Sequence, residues 1–347
     1  MISLEITEGK ARIRVCEGVF YNPHMKMNRD ITVAALRVLG ARDYLDAFTA
    51  TGIRGIRVAL EAGVESILND KNPRAVKCAE ENVRRNNLSC EVLGRDAASL
   101  MHERSFDSID LDPFGSPAPF MIAASKSAKK LLFVTSTDTS ALCGSHPEAG
   151  LRKYGVHLFK TEYYPEVGLR ALLGFSARCL AVFEKYAKPL MTYASRHYYR
   201  AILLIGRGAR RSDEMLRKTG WILHCPSCLF RKIESLPSSE LCPECGEKMK
   251  LMGPLWTGET KDRSFLEKLL EELEGEAREL TERLLEELDS PMCYDHHAFC
   301  RMKKKSASKM EDFLERIREM GYEASRVHFS GTGFKTDAPF RLITSLI

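Results

Sequence analysis

An acid, a proline and an aromatic ring stand together where a predicted strand ends. Residues 106–117 read FDSIDLDPFGSP, in which apolar side chains alternate with acids up to Pro113, a residue that cannot donate to a sheet ladder. Ligands of open α/β sheets bind beyond the carboxyl ends of the strands, so Asp112 is a candidate catalytic carboxylate. The Pro113 carbonyl offers a second acceptor, and Phe114 offers a stacking surface. For an isolated D-P-F sequence, the alternative is a turn whose Asp caps the next helix.

Position at the strand end, rather than periodicity, distinguishes Asp112 from its neighbouring acid. Asp110 precedes Asp112 by two residues and lies on the same face of the strand, so the alternation does not choose between them. Only Asp112 shares its turn with Pro113 and Phe114. We therefore expect Asp112 to be the catalytic acid, and Asp110 to contribute to folding or to the binding of a donor substrate.

Three earlier predicted strands also end beside polar residues. The first strand carries Asp46 and leads into a small-residue loop with Thr51, the second ends at Asp70, and Asp96 and Ala97 follow the third. This pattern lacks the G-x-G-x-x-G of a dinucleotide site, which disfavours NAD. Each acid alone is more often a cap, but the set resembles the S-adenosylmethionine site of class I methyltransferases. That resemblance implies that Asp70 binds the ribose hydroxyls, while Asp96 and the Ala97 N–H meet the adenine edge.

Strands and helices alternate along the first half of the chain. Strands are predicted at 44–48, 64–70, 90–93, 106–112 and 131–137. A helix is predicted before them at 31–39, and helices between them at 56–62, 73–87 and 119–130. A long amphipathic helix is predicted over 164–187, and two strands, antiparallel to each other, over 190–206. The alternation predicts a parallel, doubly wound α/β sheet. With the donor pattern, the expected fold is the Rossmann-like domain of class I S-adenosylmethionine-dependent methyltransferases.

The length of 347 residues favours two domains. We expect a methyltransferase domain over 1–252, including a cysteine module at about 224–250, and a smaller α/β C-terminal domain over 253–347. In the second domain, a charged helix is predicted over 264–288 with its leucines packed on a small core, and another helix over 309–320. Residues 321–327 and 341–347 are predicted to form short strands.

Four of the eleven cysteines have the spacing of a metal site. Cys225, Cys228, Cys242 and Cys245 form C-x2-C-x13-C-x2-C, which predicts a tetrahedral structural zinc without an open position. The alternative is a set of buried unpaired cysteines. The odd number and scattered positions of the others do not suggest a secreted disulfide framework.

Charge is distributed unevenly along the chain. The formal net charge of +5 supports no conclusion by itself, but segments 196–218 and 301–309 are strongly basic, whereas 262–289 is acidic. The basic segments are candidate phosphate contacts, and the alternative for each is a solvated face. No apolar run approaches a membrane span and the N-terminus lacks a signal-peptide core, so we expect a cytoplasmic protein without a membrane partner.

A methyl donor suggests a function for the turn at Asp112, because D-P-F resembles the D/N-P-P-aromatic motif of amino-group methyltransferases. An exocyclic base amine is a weak nucleophile, since its lone pair is delocalised into the ring. If Asp112 and the Pro113 carbonyl each accept one N–H, the nitrogen can pyramidalise toward the methyl group. Phe114 would then stack on the base, and Asp112 would relay the released proton.

The resemblance extends over nearly the whole chain. FYNPHMKMNRD, DAFTATGIRGIR, DLDPFGSPAPF, TSTDTSALCGSHP and HFSGTGFKTDAPF together look like the short, archaeal-type form of the tRNA guanine-26 N2-dimethyltransferase family. This resemblance implies S-adenosylmethionine as donor and N2 of guanine-26 in tRNA as acceptor, and we expect the C-terminal domain over 253–347 to bind the tRNA. It does not imply a protein partner. It also implies that Arg29 and Arg54 help to hold the donor and that Phe20 and Phe114 sandwich the guanine.

One departure and two alternatives accompany this assignment. The segment SGTGF at 330–334 stands where the family leads us to expect something closer to S-P-T-G-I. A DNA adenine or cytosine amino-methyltransferase would share the donor and acceptor chemistry without a reason to carry the C-terminal segment. A non-catalytic zinc-ribbon RNA-binding protein would bind tRNA without forming a product.

Overall fold

The computed structural model describes residues 4–347. Its strands are β1 (Leu4–Glu8), β2 (Ala11–Val15), β3 (Asp43–Asp46), β4 (Glu65–Asn69), β5 (Glu91–Leu93), β6 (Phe106–Leu111), β7 (Ala128–Ser136), β8 (Lys185–Ser195), β9 (Tyr198–Arg207), β10 (Thr219–His224), β11 (Arg231–Glu234), β12 (Lys250–Trp256), β13 (Tyr294–Asp295), β14 (Ala324–Val327) and β15 (Ser330–Thr336).

Fourteen α-helices lie among the described residues. They are α1 (Lys26–Leu39), α2 (Ile53–Arg57), α3 (Pro73–Arg85), α4 (Ala97–Glu103), α5 (Met121–Ser127), α6 (Thr139–Leu142), α7 (Pro147–Tyr154), α8 (Tyr164–Ala181), α9 (Ala209–Leu216), α10 (Arg263–Leu270), α11 (Gly275–Glu286), α12 (His296–Met302), α13 (Met310–Glu319) and α14 (Phe340–Leu346). Single 3-10 turns at Pro23–Met25 and Ala118–Phe120 precede α1 and α5, and a π-helical turn at Val58–Ala62 follows α2.

A seven-stranded sheet forms the centre of the molecule, in the order β5-β4-β3-β6-β7-β9-β8. The first five strands of this order are parallel, while β9 is antiparallel to both β7 and β8. The predicted doubly wound sheet with an antiparallel closing pair is confirmed. Because β7 is parallel to β6 and β9 is antiparallel to β7, the β8–β9 turn lies at the same sheet edge as the residues that follow β6.

Apolar layers cover both faces of this sheet. On one face, α4, α5 and α8 pack over Leu45, Ile109 and Leu132; on the other, α1, α10 and α11 pack over Tyr44 and Phe133. All six residues of β6 are buried, as expected for a central parallel strand. The carboxyl ends of the parallel strands are therefore held by packed side chains on both faces of the sheet. This packing fixes the edge of the sheet at which the candidate site lies.

The acidic leucine-rich segment differs from its prediction in two respects. It forms two helices, α10 and α11, with the break at residues 271–274 and Gly275 in the left-handed region at φ 56°. Its leucines, among them Leu266 and Leu284, pack with α1 against the large sheet rather than on a small C-terminal core. The predicted single helix was wrong because the apolar pattern of the two helices is almost continuous across their junction.

The C-terminal residues form a smaller core of their own. The sheet β13-β15-β14 packs with α12, α13 and α14 around Phe299, Phe313 and Phe334. The segment 341–347, predicted as a strand, is helical up to Leu346 in α14, and the strand β15 was not predicted. The domain division at residue 253 stays a prediction.

Two further differences concern the cysteines and the element ends. Cys16 and Cys78 form a disulfide between the end of β2 and α3, which the cysteine pattern did not predict. The predicted helices 119–130 and 164–187 end earlier, at Ser127 and Ala181, because β7 begins at Ala128 and β8, after a short turn, at Lys185. Over residues 4–347, every helix is too short or too polar to cross a membrane.

The packing of α10 on the sheet can be tested by truncating Leu266, which is fully buried. We expect Leu266→Ala to lower the free energy of unfolding by about 2–5 kcal/mol, because it removes packed apolar atoms and leaves a cavity. Leu236, which is 74% exposed, provides the matched control: Leu236→Ala should change the stability by less than about 0.5 kcal/mol. Denaturant unfolding of both variants measures the difference, and equal stabilities would contradict the packing.

Candidate active site

A cleft of about 210 Å³ lies at the carboxyl ends of β3, β4 and β6. Nine of the eleven predicted catalytic and donor-binding residues line it: Phe20, Arg29, Asp46, Thr51, Arg54, Asp70, Asp112, Pro113 and Phe114. Asp96 and Ala97 are not part of its lining; they lie at the start of α4, after the neighbouring strand β5. The topology thus brings together residues that are far apart in the sequence.

Asp46, the last residue of β3, holds the following loop by hydrogen bonds. The Asp46 carboxylate accepts hydrogen bonds from the Thr49 hydroxyl (2.8 Å) and the Gly55 N–H (3.2 Å). Complete burial raises the pKa of Asp46 to about 6, although Arg54 opposes this shift. Gly52 has φ 85°, a left-handed conformation that favours glycine, and a Cβ there would lie 3.1 Å from Leu68. The loop therefore presents its backbone to the cleft in a fixed conformation.

Asp70 joins two of the loops at the cleft. Its carboxylate accepts from the Ala50 N–H (2.9 Å) after β3 and from the Asn72 N–H (2.9 Å) before α3. Asp96 instead caps α4, since it accepts from the Ser99 N–H (2.9 Å), and this hydrogen bond lowers its pKa. Ala97 follows as the first residue of α4 and is buried. The donor-binding roles of these residues stay predictions.

Arg54 connects the two acids of β6 and its following turn. One guanidinium nitrogen of Arg54 pairs with Asp112, and the other lies 3.2 Å from Asp110 and also bonds the Asn28 side chain and the Thr32 hydroxyl. The Arg54 side chain is 7% exposed, so these contacts are shielded from solvent. Arg54 thereby fixes the Asp112 carboxylate at the cleft wall.

Asp110 is part of a fully buried ion pair. Arg200 contacts both Asp110 carboxylate oxygens at 2.7 Å, and the Tyr44 hydroxyl donates to one of them at 3.0 Å. Burial alone would raise the pKa of Asp110, but Arg200 and Arg54 outweigh it and hold that pKa below its ordinary value. Arg200 is 0% exposed, so its inclusion among the candidate phosphate-binding cations of segment 196–218 was wrong.

A second charge network lies at the other side of the cleft. Arg29 is buried and donates to both carboxylate oxygens of Glu8, including a 2.7 Å contact from its Nε. Arg57 also pairs with Glu8 (2.9 Å) and with Asp30 (2.7 Å). Sequence reasoning missed Glu8 and Arg200, since their partners lie far away along the chain. The only sequence signal for the role of Glu8 was that a charged residue ends a strand of alternating apolar and polar residues.

The two predicted base-stacking rings are in contact with each other. The centroids of Phe20 and Phe114 lie 4.6 Å apart with an interplanar angle of 80°. Their exposed fractions, 51% and 77%, are unusually large for phenylalanine and locate both rings at the mouth of the cleft. The structure therefore brings the predicted pair together in an edge-to-face rather than a parallel arrangement.

The four predicted zinc ligands converge in space. The sulfurs of Cys225 and Cys245 lie 3.4 Å apart, as do those of Cys228 and Cys242, and all four are within 4.8 Å of one another. Tetrahedral zinc with sulfur at about 2.3 Å needs sulfurs about 3.8 Å apart, so the cluster is compatible with a structural zinc ion. The Cys225 and Cys242 carbonyls each accept from an N–H four residues on, which gives two similar turns.

Comparison with known proteins identifies the family. The model of the N2,N2-dimethylguanosine tRNA methyltransferase family matches residues 3–347. The chain belongs to this family. A family relative from Archaeoglobus fulgidus, named tRNA (guanine(26)-N(2))-dimethyltransferase, is 44% identical over 99% of this chain and 98% of its own length. A relative of the same name from Methanosarcina mazei is 41% identical over 100% and 99%.

A solved structure supports the same assignment at the level of the fold. The structure of Trm1 from Pyrococcus horikoshii with S-adenosyl-L-methionine is 39% identical and covers 99% of both chains with a TM-score of 0.92. The predicted family and the predicted methyltransferase fold are confirmed. The match includes the C-terminal residues, so the unexpected SGTGF segment does not exclude the chain from the family.

The metal site generates a prediction that does not depend on activity. We expect Cys225→Ser to lose about one equivalent of zinc per chain, because removal of one thiolate leaves an incomplete ligand set. Metal analysis of the purified full-length protein by mass spectrometry measures this. Cys90 is a free cysteine outside the cluster, so Cys90→Ser should retain the metal content of the unmodified protein. Full zinc retention by Cys225→Ser would contradict the assignment.

Proposed function

We propose that this protein transfers methyl groups from S-adenosylmethionine to the exocyclic N2 amine of guanine-26 in tRNA, giving N2-methyl- and N2,N2-dimethylguanosine. The observation that carries this proposal is that the Asp112–Phe114 turn and the donor-type loops with Thr51 and Asp70 face one cleft. Membership of the N2,N2-dimethylguanosine tRNA methyltransferase family and the names of the relatives support the same reaction.

The donor side of the cleft combines fixed backbone groups with acids. Asp70 would accept from the ribose hydroxyls, since each of its oxygens retains a lone pair beyond its backbone contact. Asp46, Thr51, Arg29 and Arg54 would complete this side, with Asp96 and Ala97 at the adenine end. When bound, S-adenosylmethionine supplies an electrophilic methyl group.

Asp112 is the central residue of the acceptor side. With the Pro113 carbonyl, it would accept the two N–H groups of the amine and orient the nitrogen lone pair toward the donor side. Arg54 restrains the Asp112 carboxylate, so the acceptor is positioned before the substrate arrives. Asp112 would then take the proton that the amine releases and pass it to water.

Phe20 and Phe114 are placed to hold the guanine once it has left the RNA stack. Parallel stacking on both sides of a base requires rings about 7 Å apart, twice the carbon contact distance of about 3.5 Å. Since the rings now meet edge to face at 4.6 Å, at least one must rotate and the two must move apart when the base enters. Both are at least half exposed, so little packing opposes this rotation.

Two alternative functions are less well supported. A DNA amino-methyltransferase would use similar chemistry, but the matching family model covers residues 3–347 and its description names tRNA. A non-catalytic zinc-ribbon RNA-binding protein gives no reason for an acid, a carbonyl and a ring at one strand end. The expected tRNA partner, the absence of a protein partner and the cytoplasmic location stay predictions. So does tRNA binding by the C-terminal residues, in which the basic segment 301–309 is largely exposed.

Nucleoside mass spectrometry tests the reaction directly. A tRNA transcript incubated with the protein and S-adenosylmethionine should yield N2,N2-dimethylguanosine at position 26. We expect Asp112→Asn to lower kcat by about 100-fold or more, because the variant lacks the carboxylate that accepts the proton, while the donor Kd changes less than about threefold. Asp110→Asn provides the contrast: it leaves buried Arg200 without its counter-ion and should reduce stability by about 3–5 kcal/mol.

Three outcomes would count against these assignments. Methylation of duplex DNA instead of tRNA would favour the first alternative function, and tRNA binding without product by the unmodified protein would favour the second. Unchanged turnover in Asp112→Asn would remove Asp112 from the chemistry.

The stacking role of Phe114 makes a separate prediction. Phe114→Ala should lower kcat/KM for tRNA by about 5- to 150-fold, the loss expected for about 1–3 kcal/mol of base stacking. Because the ring is 77% exposed, thermal stability should change little. Phe114→Tyr keeps an aromatic face and should retain most of the activity. If Phe114→Ala matched the unmodified protein in steady-state kinetics, this ring would not contact the base.

A further inference from the structure

A second groove of about 440 Å³ opens at the same sheet edge as the candidate active site. It is lined by the β8–β9 turn, the first residues of α8, one side of α11 and the residues before β15. The side chains that matter for its chemistry are Tyr164, Arg196, Arg283 and Phe329. The volume is in the range of pockets that hold a small organic ligand or a single nucleotide.

The groove continues the candidate active site along the edge of the sheet. Met25 and Thr137 line the cleft, whereas Met27 and Thr139, two residues further along each segment, line the groove. The strand β9 is two strands from β6, a distance of about 10 Å at ordinary strand spacing. A chain that delivers a base to Asp112 therefore has its next residue within reach of this groove.

The side chains of the groove combine aromatic faces with displaceable cations. The ring of Tyr164 is 43% exposed, and Phe329 is partly exposed. Arg196 pairs with Glu276 at 3.2 Å and Arg283 with Glu279 at 3.6 Å.

All four of these charged side chains are between 45% and 64% exposed. Such surface ion pairs contribute about 0–1 kcal/mol, so a phosphate can compete for either arginine at little cost.

We propose that this groove binds the nucleotide adjacent to the target guanine in the same RNA strand. Tyr164 stacks on the neighbouring base, and Arg196 and Arg283 bind the phosphates on either side of it. The groove thus holds the strand in the register that places the guanine between Phe20 and Phe114. This inference rests on the proposed function, since it assumes that the cleft receives a base from RNA.

The test is a double-mutant cycle between Tyr164 and the neighbouring base. Methyl transfer by the full-length protein and by Tyr164→Ala is measured on intact tRNA and on two transcripts with an abasic site at position 25 or 27. We expect Tyr164→Ala to reduce kcat/KM on intact tRNA by about 5- to 150-fold and to have less than about a twofold effect on one of the abasic transcripts. Any general loss of RNA structure affects both enzymes alike and cancels in the cycle.

Matched variants separate the groove from general surface effects. Arg196→Ala should raise KM for tRNA and weaken its salt dependence, because a phosphate contact is lost. Arg263 is also an exposed arginine that pairs with a glutamate, in its case Glu267 four residues along the same helix, and Arg263→Ala should leave KM and its salt dependence unchanged. Donor Kd should be unaffected in all variants, as the groove lies outside the donor side of the cleft.

The inference and the proposed function fail in different ways. If the unmodified protein forms no N2-methylated guanosine on tRNA, the proposed function itself is wrong. If it does, but Tyr164→Ala retains full kcat/KM, the groove does not hold RNA. An equal loss by Tyr164→Ala on intact tRNA and on both abasic transcripts would also overturn the inference, because the ring would then act without the neighbouring base.

Discussion

The Arg54 guanidinium stands between two carboxylates that would otherwise repel each other across the end of β6. Asp110 is buried within the strand, Asp112 faces the cleft, and Asp46 lies close by beneath the adjacent loop. Arg200 supplies the second positive charge, and Tyr44 a further hydrogen bond. Buried charges are costly unless they are paired and hydrogen-bonded, so the acids and arginines at this edge form one interdependent set. The position of the catalytic candidate follows from that set.

Buried charge pairs also hold the N-terminal hairpin of β1 and β2 against the cleft. Glu8 at the end of β1 is shared by Arg29 of α1 and Arg57 of α2, and Asp30 also pairs with Arg57. These contacts fix the start of α1 and therefore the preceding segment, which carries Phe20. The ring that is proposed to meet the target base is thus positioned by buried charges on neighbouring elements, while the ring itself is exposed and able to rotate.

Buried charges also connect the C-terminal core to the large sheet. Lys335 of β15 lies 2.9 Å from Glu287 and 3.4 Å from Glu166 of α8. Burial would raise the pKa of Glu287, but Lys335 and His328 outweigh it and hold that pKa low. The His328 Nε2 in turn accepts from the Ala194 N–H at the end of β8. Of these residues, His328 and Ala194 line the groove beside the active site, so their contact joins the end of β8 to the residues before β15 in the groove wall.

The sequence by itself determined the features that depend on local spacing: the alternating strands and helices, the acids at the strand ends, the Asp112–Phe114 turn and the two cysteine pairs. Adjacency to Pro113 and Phe114 distinguished Asp112 from Asp110, but the sequence left the role of Asp110 open between folding and donor binding, and it described Arg200 only as part of a basic segment. Tertiary structure paired Asp110 with Arg200, two residues which lie 90 residues apart along the chain. Tertiary structure also decided that the acidic segment breaks into α10 and α11 and that the C-terminal residues form a helix. A periodic pattern records which face of an element is buried, but the identity of the neighbouring element is fixed only when the chain has folded.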